Sequence, residues 1–268
     1  MKVLKRGMSG AAVSALQQAL LDKGFDPGLI DGAFGGGTEA AVIAFQKSEG
    51  LLADGIAGPR TLHALALVAS PALPDATGTV TVEMVSQMFP FTAICNIKAQ
   101  LPFVLAALKG RSLHDRAMVL MALATIRAEA EPFLPIDEGR SKFNTSPNGH
   151  PFDLYDNRRD LGNRGRPDGD RYKGRGFVQL TGRDNYRRYG PKLMTPVNLE
   201  TRPQLASSSA VAADLLALFL GDRELQIKDA LLHDNLMAAR RLVNGGSHGL
   251  APFTDAYRRG DAILPRLL

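Results

Sequence analysis

The run Ala117-Met118-Val119-Leu120-Met121-Ala122-Leu123-Ala124-Thr125-Ile126 decides the fold class. A helix with this sequence is apolar on every face, so it belongs inside a domain rather than on its surface. Just upstream, Ser112 followed three residues later by Asp115 resembles a weak capping box, which predicts a helix through Arg116 to Ala130 that Pro132 stops. From Val80 onward the remaining segments read mostly as helices between loops rich in Gly, Pro, Asn and Arg. The expectation is a mainly α protein. Its longest apolar stretches, Met118 to Ile126 and Ala210 to Leu220 around Asp214, fall short of the about 20 residues that cross a bilayer, so stable membrane insertion is not expected.

Outward from the buried helix come the carboxylates. Glu129 sits at its end, where apolar surroundings and the negative end of the helix dipole favour a protonated acid. Nine residues on, past Pro132 and Pro135, Glu138 lies in Asp137-Glu138-Gly139-Arg140-Ser141-Lys142, where cations favour the ionised form. Two carboxyls in opposed environments are the equipment of glycoside hydrolysis, one protonating the leaving oxygen and one activating water or acting as nucleophile. The same residues also fit a plainer reading, in which Glu129 and Glu131 are helix-end acids and Asp137 and Glu138 a solvated loop.

Further along, Arg171-Tyr172-Lys173-Gly174-Arg175-Gly176-Phe177-Val178-Gln179-Leu180-Thr181-Gly182-Arg183-Asp184-Asn185-Tyr186 reads as a turn, a short extended run and a second turn into a helix. It lacks the Gly-Lys-Ser/Thr of a phosphate loop and the βαβ context of a dinucleotide site. Residues 157 to 176 carry seven Arg or Lys against Asp160, Asp168 and Asp170. Such a cationic rim attracts carboxylate-bearing polymers and anionic envelopes, and gives a neutral polymer nothing. Nucleic acid is not an expected partner, because the chain carries no reader motif despite a pI near 9.4.

Toward the N-terminus, Pro71, Pro74 and Gly78 interrupt any period between Val68 and Val80 and predict a linker over residues 70–80, dividing a domain at 1–69 from one at 81–268. In the first, Ser9 is positioned to cap a helix bearing Val13, Leu16 and Leu20 that stops at Gly24. A second helix starts near Thr38, carries Val42 and Phe45 and ends by Gly50; a third starts at Pro59 with Leu62 and Leu65. Together they predict a small three-helix bundle. Asp31-Gly32-Ala33-Phe34-Gly35-Gly36-Gly37-Thr38 and Asp54-Gly55-Ile56-Ala57-Gly58-Pro59-Arg60-Thr61 form a half-repeat, each a tight turn feeding a helix.

Two resemblances add to this reading. Leu4-Lys5-Arg6-Gly7 to Leu65, with Gln17, the doubled Asp-Gly turn and Ala44-Phe45-Gln46, resembles the peptidoglycan-binding type 1 domain, which implies a non-catalytic wall anchor. Residues 84 to 260, through Gly-Arg-Gly-x-x-Gln-Leu-Thr-Gly, Leu154-Tyr155-Asp156-Asn157-Arg158 and Val243-Asn244-Gly245-Gly246, resemble the catalytic domain of glycoside hydrolase family 19, which contains chitinases and bacteriophage endolysins. That second resemblance implies a lysozyme-like, mostly helical domain with a short β element. It makes Glu129 the general acid, Glu138 the general base and Thr181 a holder of the attacking water. It implies inversion, with carboxyls about 6.5 to 9.5 Å apart. Gln179, Tyr172, Tyr186 and Asn244 are then expected to line the sugar groove, although Tyr172 and Tyr186 fit a core role equally. The family's His-Glu-Ser/Thr-Gly-Gly is replaced here by Ala128-Glu129-Ala130-Glu131-Pro132-Phe133, which leaves Glu131 a rival acid. The arginine expected near the C-terminal end is Arg258 or Arg259.

Charge and cysteine usage complete the picture. The net charge of +5 arises after residue 70, since residues 1–70 hold six Lys/Arg and six Asp/Glu. The single Cys95 forms no internal disulfide, and His63, His114, His150, His233 and His248 show no ligand-like grouping, so neither metal nor cofactor is expected. The N-terminus runs into Gln17, Gln18, Asp22 and Lys23 before any signal-peptide core forms. The combination reads as a monomeric endolysin that accumulates in the host bacterial cytoplasm, depends on a holin for release to the wall, and cuts peptidoglycan. The alternatives are a chitinase and a non-catalytic wall-binding protein.

Overall fold

The computed structural model describes residues 3–68, 73–244 and 249–266. The chain divides into two compact units, Met1–Leu73 and Pro74–Leu268.

The smaller unit is built from α1 (Ala11–Asp22), α2 (Gly36–Ser48) and α3 (Pro59–Ala64). Leu4, Val13, Leu16, Leu20, Phe34, Val42, Phe45 and Leu62 close its core, and Phe25 meets Phe45 edge-on with centroids 5.5 Å apart. The helix periods place these residues as expected, but Ser9 is not the cap. Ser9 forms an isolated antiparallel bridge with Ala33, and Gly10, at φ 122°, precedes α1 without a side-chain cap. Helix α2 starts at Gly36, two residues before Thr38, whose hydroxyl is occupied elsewhere.

The half-repeat turns out to be a duplicated clamp. Gln17 Nε2 donates to Asp31 Oδ1, Ala33 O and Thr38 Oγ1 at 3.0–3.1 Å, while its Oε1 accepts from Gly32 N at 2.9 Å. Gln46 repeats the set on Asp54, Ile56 O, Thr61 and Gly55 N. In each turn the Asp also accepts the backbone N–H two residues on, and the glycine sits in the left-handed region, at φ 75° and 73°. One buried amide thus satisfies several polar groups of its turn at once.

The larger unit contains α4 (Val82–Met88), α5 (Ile94–Gly110), α6 (Arg116–Glu129), α7 (Asp153–Asp156), α8 (Asp168–Arg171), α9 (Arg183–Tyr189), α10 (Ser209–Gly221), α11 (Glu224–Leu232), α12 (Leu236–Asn244) and α13 (Leu250–Ile263). Helix α6 is its axis: every side chain from Met118 to Ile126 is fully buried, against α13, α10 and α11. Asp115, not Ser112, caps it, accepting from Ala117 N and Met118 N at 3.1 and 3.2 Å, while Ser112 lies in the left-handed region at φ 59°. A second apolar cluster gathers Tyr172, Leu180, Tyr186, Leu199 and Leu215 beneath the loop-rich middle of the unit.

Two expectations need adjustment. The predicted linker is shorter than residues 70–80, because Ala76 and Val80 belong to the larger core, Ala76 N donates to His114 O, and Asp75 pairs with Lys109 at 2.9 Å; residues 69–72 lie outside the described residues. The short β element is reduced to two isolated bridges, Asp137↔Arg175 and Arg175↔Leu180. These bridges bring the loop after α6 against the Gly-Arg-Gly segment, and thereby place Glu138.

Candidate active site

Glu129 is the last residue of α6, and its side chain is 18% exposed. The purely apolar setting expected for it is not what the fold builds. The fully buried guanidinium of Arg240, on α12, donates through Nη2 to Glu129 Oε1 and lies over the Phe253 ring, 5.8 Å from its centroid. Among the described residues no hydrogen bond is made to Glu129 Oε2. The arginine on this carboxylate is therefore Arg240 and not Arg258 or Arg259. Those two are half-exposed and paired with Asp234 at 2.6 Å and Asp255 at 2.8 Å. The rival Glu131, just past the end of α6, turns back to Arg127 of that helix at 2.9 Å and is half-exposed.

Glu138 is held from three sides. Asn144 Nδ2 donates to Oε1 at 2.8 Å, the Tyr155 hydroxyl to Oε1 at 3.0 Å, and Gly174 N to Oε2 at 3.0 Å. Its own backbone N–H donates to Gly174 O at 2.8 Å, so the carboxylate and the backbone grip one glycine. A Cβ at Gly174 would lie 2.8 Å from Gln179 Oε1 and 3.1 Å from Glu138 Oε2, so any larger residue there would push on both side chains. Asn144 is fully buried and takes its orientation from Ser141 N and Thr145 Oγ1, both donating to its Oδ1. Burial first, and then the neighbouring Glu138 charge, push the Tyr155 phenol up to about 12, so it stays a donor across the physiological range.

The other expected site residues divide. Gln179 lies beside Glu138 across Gly174, in the left-handed region at φ 49°, and its amide nitrogen ties the turn to Ile136 O and Gly176 O at 3.1 and 3.0 Å. Thr181 donates its hydroxyl to Gln179 O at 2.8 Å, leaving the oxygen lone pairs as acceptors. Tyr172 and Tyr186 do not line a groove. Both rings are buried in the second apolar cluster, 5.4 Å apart between centroids, and their hydroxyls donate to Glu200 O and Lys173 O at 3.0 and 2.7 Å. Neither face is open to stack on a sugar; aromatic rings with polar tips pack well in a core when the tip finds a backbone acceptor. Asn244 ends α12, and its side chain lies outside the described residues.

Sequence reasoning assigned no role to Asn144, Tyr155 or Arg240. Tyr155 stood in the quoted Leu-Tyr-Asp-Asn-Arg motif, but nothing in its spacing aims a hydroxyl at Glu138. Arg240 is followed by Arg241, and which of the two turns inward depends on the phase of α12 against α13.

Comparison with known proteins places one part of the chain. Residues 9–65 match the family model described as "Putative peptidoglycan binding domain". N-acetylmuramoyl-L-alanine amidase CwlM of Mycobacterium tuberculosis is 48% identical over 61 residues, covering 23% of this chain and 15% of that protein. The spore cortex-lytic enzyme of Bacillus cereus is 45% identical over 64 residues, 24% of this chain and 25% of that one. The chain thus spans a quarter or less of the length of these relatives. Among solved structures, chitinase C from Streptomyces griseus HUT6037 aligns at 18% identity and TM-score 0.46, covering 69% of this chain and 76% of that one. The Burkholderia AP3 phage endolysin aligns at 19% identity and TM-score 0.30, covering 97% and 100%.

Proposed function

We propose that this chain is a cell-wall hydrolase whose smaller unit holds peptidoglycan while the larger one cleaves the β-1,4 bond between N-acetylmuramic acid and N-acetylglucosamine. The observation that carries the catalytic half is the unlike setting of two carboxyls. Glu138 is an acceptor for three donors, and Glu129 keeps one oxygen clear of described partners at the end of a buried helix. In this reading Glu129 delivers a proton to the leaving glycosidic oxygen. Glu138 removes a proton from water, which Thr181 helps to hold, and the water attacks the anomeric carbon from the opposite face. Arg240 fixes the Glu129 rotamer, and Asn144, Tyr155 and Gly174 fix that of Glu138, so both groups are oriented before substrate arrives.

The wall-binding half rests on the match over residues 9–65. Tethering to an insoluble polymer raises the local concentration of its bonds at the second unit without any added catalytic contact. Peptidoglycan is favoured over chitin by the excess of cations in residues 157–176, seven against three carboxylates, which suits a polymer bearing carboxylates. Action during lysis, with a holin opening the route to the wall, is the setting this activity implies.

The test pairs two substrates. Permeabilised Gram-negative cells lose turbidity with the native chain and not with Glu129→Gln, while Glu129→Gln still sediments with sacculi. Release of chitin oligomers without loss of turbidity would assign the chain to chitin instead.

A further inference from the structure

Beside Arg175 of the Asp137–Arg175 bridge lies a shallow, open cavity of about 470 Å³ that the catalytic reading does not use. Pro167 and Pro203 form its apolar walls, and Thr201 and Gln204 give it hydrogen-bonding groups. Two arginines reach it. Arg175 is nine-tenths buried, bonded through Nη1 to Arg171 O and the Tyr186 hydroxyl; its Nε makes no hydrogen bond and faces Asp137 Oδ2 at 3.3 Å. Arg171 is exposed at the rim, steadied over the Tyr172 ring at 5.7 Å and by carbonyl contacts to Glu200 and Thr201 at 3.4 and 3.3 Å.

The charges around this cavity do not cancel. Asp170, also on the lining, is engaged by Lys173 at 3.2 Å, and Asp137 is shared between Arg175 and Lys173. Of the charged groups on the lining itself, Arg171 and Arg175 face the single carboxylate of Asp170, and the guanidinium without a carboxylate partner is that of Arg171. A rigid planar donor fork at the mouth of a polar cavity, with a surplus positive charge, suits a carboxylate better than a neutral sugar.

We propose that this cavity is a subsite for a carboxylate of the peptidoglycan stem peptide, with Arg171 as its principal anchor; the proposal rests on the peptidoglycan-hydrolase reading and names what selects that polymer. Its position fits. Glu138 pairs with Gly174 and Asp137 with Arg175, so the base and the cavity floor are neighbours on one short ladder. A stem of four residues extends up to roughly 14 Å, several times the spacing between successive residues of such a ladder. The prolines supply apolar contact for its alkyl side chains, and Gln204 and Thr201 supply partners for its amides.

The experiment measures kcat and KM of the full chain and of Arg171→Gln on three substrates: peptide-bearing glycan fragments, amidase-stripped glycan, which keeps lactyl carboxylates but no peptide, and neutral chitin oligomers. The expected result is a KM raised about tenfold by R171Q on the peptide-bearing fragments only, with the difference shrinking at high salt. An equal loss on all three substrates, or a loss shared by stripped glycan, overturns the assignment, as does an unchanged KM throughout. If the native chain cleaves none of them, the hydrolase reading fails on its own, and the subsite is decided by calorimetric binding of a soluble D-alanine-terminated stem peptide. Binding lost in R171Q supports the subsite, and equal binding refutes it.

Discussion

The guanidinium of Arg240, buried on α12, ends on the carboxylate of Glu129 at the last residue of α6. The pair joins the helix that forms the core axis to the helix preceding the C-terminal α13, so the candidate acid is part of the structural frame. Breaking a buried pair from one side leaves a charge without its partner and costs about 3–5 kcal/mol. Arg240→Met is therefore expected to lower the thermal midpoint of the larger unit by several degrees and to abolish activity. Glu129→Gln keeps a carbonyl acceptor for Arg240 and is expected to fold with a much smaller loss. Calorimetry on both variants checks this; equal midpoints for R240M and the native chain contradict it.

Tyr155 gives a test confined to the base. Tyr155→Phe keeps the ring near Phe152 and removes one hydrogen bond to Glu138. A bond to a charged group contributes about 1.5–3 kcal/mol, so the melting temperature is expected to fall by several degrees and kcat roughly ten- to hundredfold. Steady-state kinetics on glycan fragments measure it, and unchanged kcat removes Tyr155 from the site.

The two glutamine clamps predict matched behaviour. Gln17→Ala and Gln46→Ala each leave a turn glycine N–H and a helix-start threonine without their partner. Each is expected to destabilise the smaller unit by about 1–3 kcal/mol and to weaken sedimentation with sacculi, while soluble-fragment hydrolysis persists. Denaturant unfolding followed beside a pull-down assay separates the two effects.

All five tyrosines lie in the larger unit, and burial raises every one, Tyr155, Tyr186 and Tyr257 to about 12. A folded-state pKa above the unfolded value of about 10 means stability present below pH 10 and lost as pH rises toward 12. Phenolate absorbance is therefore expected to lag behind model tyrosine and then to rise together with loss of helical circular dichroism. Full ionisation near pH 10 with the helices intact would contradict the burial of these rings.

What was legible in the sequence was periodic or local. The all-apolar Met118–Ile126 run, the Leu16/Leu20 and Val42/Phe45 spacings and the doubled Asp-Gly turns each dictate their structure from within a few residues. What was not legible depends on contacts between segments far apart. Asp115 caps α6 in place of Ser112, which takes a left-handed conformation just past the end of α5. Tyr172 and Tyr186 entered the core because Glu200 O and Lys173 O happen to meet their hydroxyls, and Arg240 found Glu129 across 111 residues. Side-chain orientation in the loop-rich middle is set by such partners, which no spacing encodes.

The bond that is cut tests the central claim most directly. Mass spectrometry of sacculi digested by the full chain, with borohydride reduction to mark new ends, is expected to find peptide-bearing disaccharides whose reducing sugar is N-acetylmuramic acid, and none with Glu129→Gln or Glu138→Gln. Intact glycan strands with freed stem peptides, or the same products from either variant, would contradict the assignment of hydrolysis to these two carboxyls.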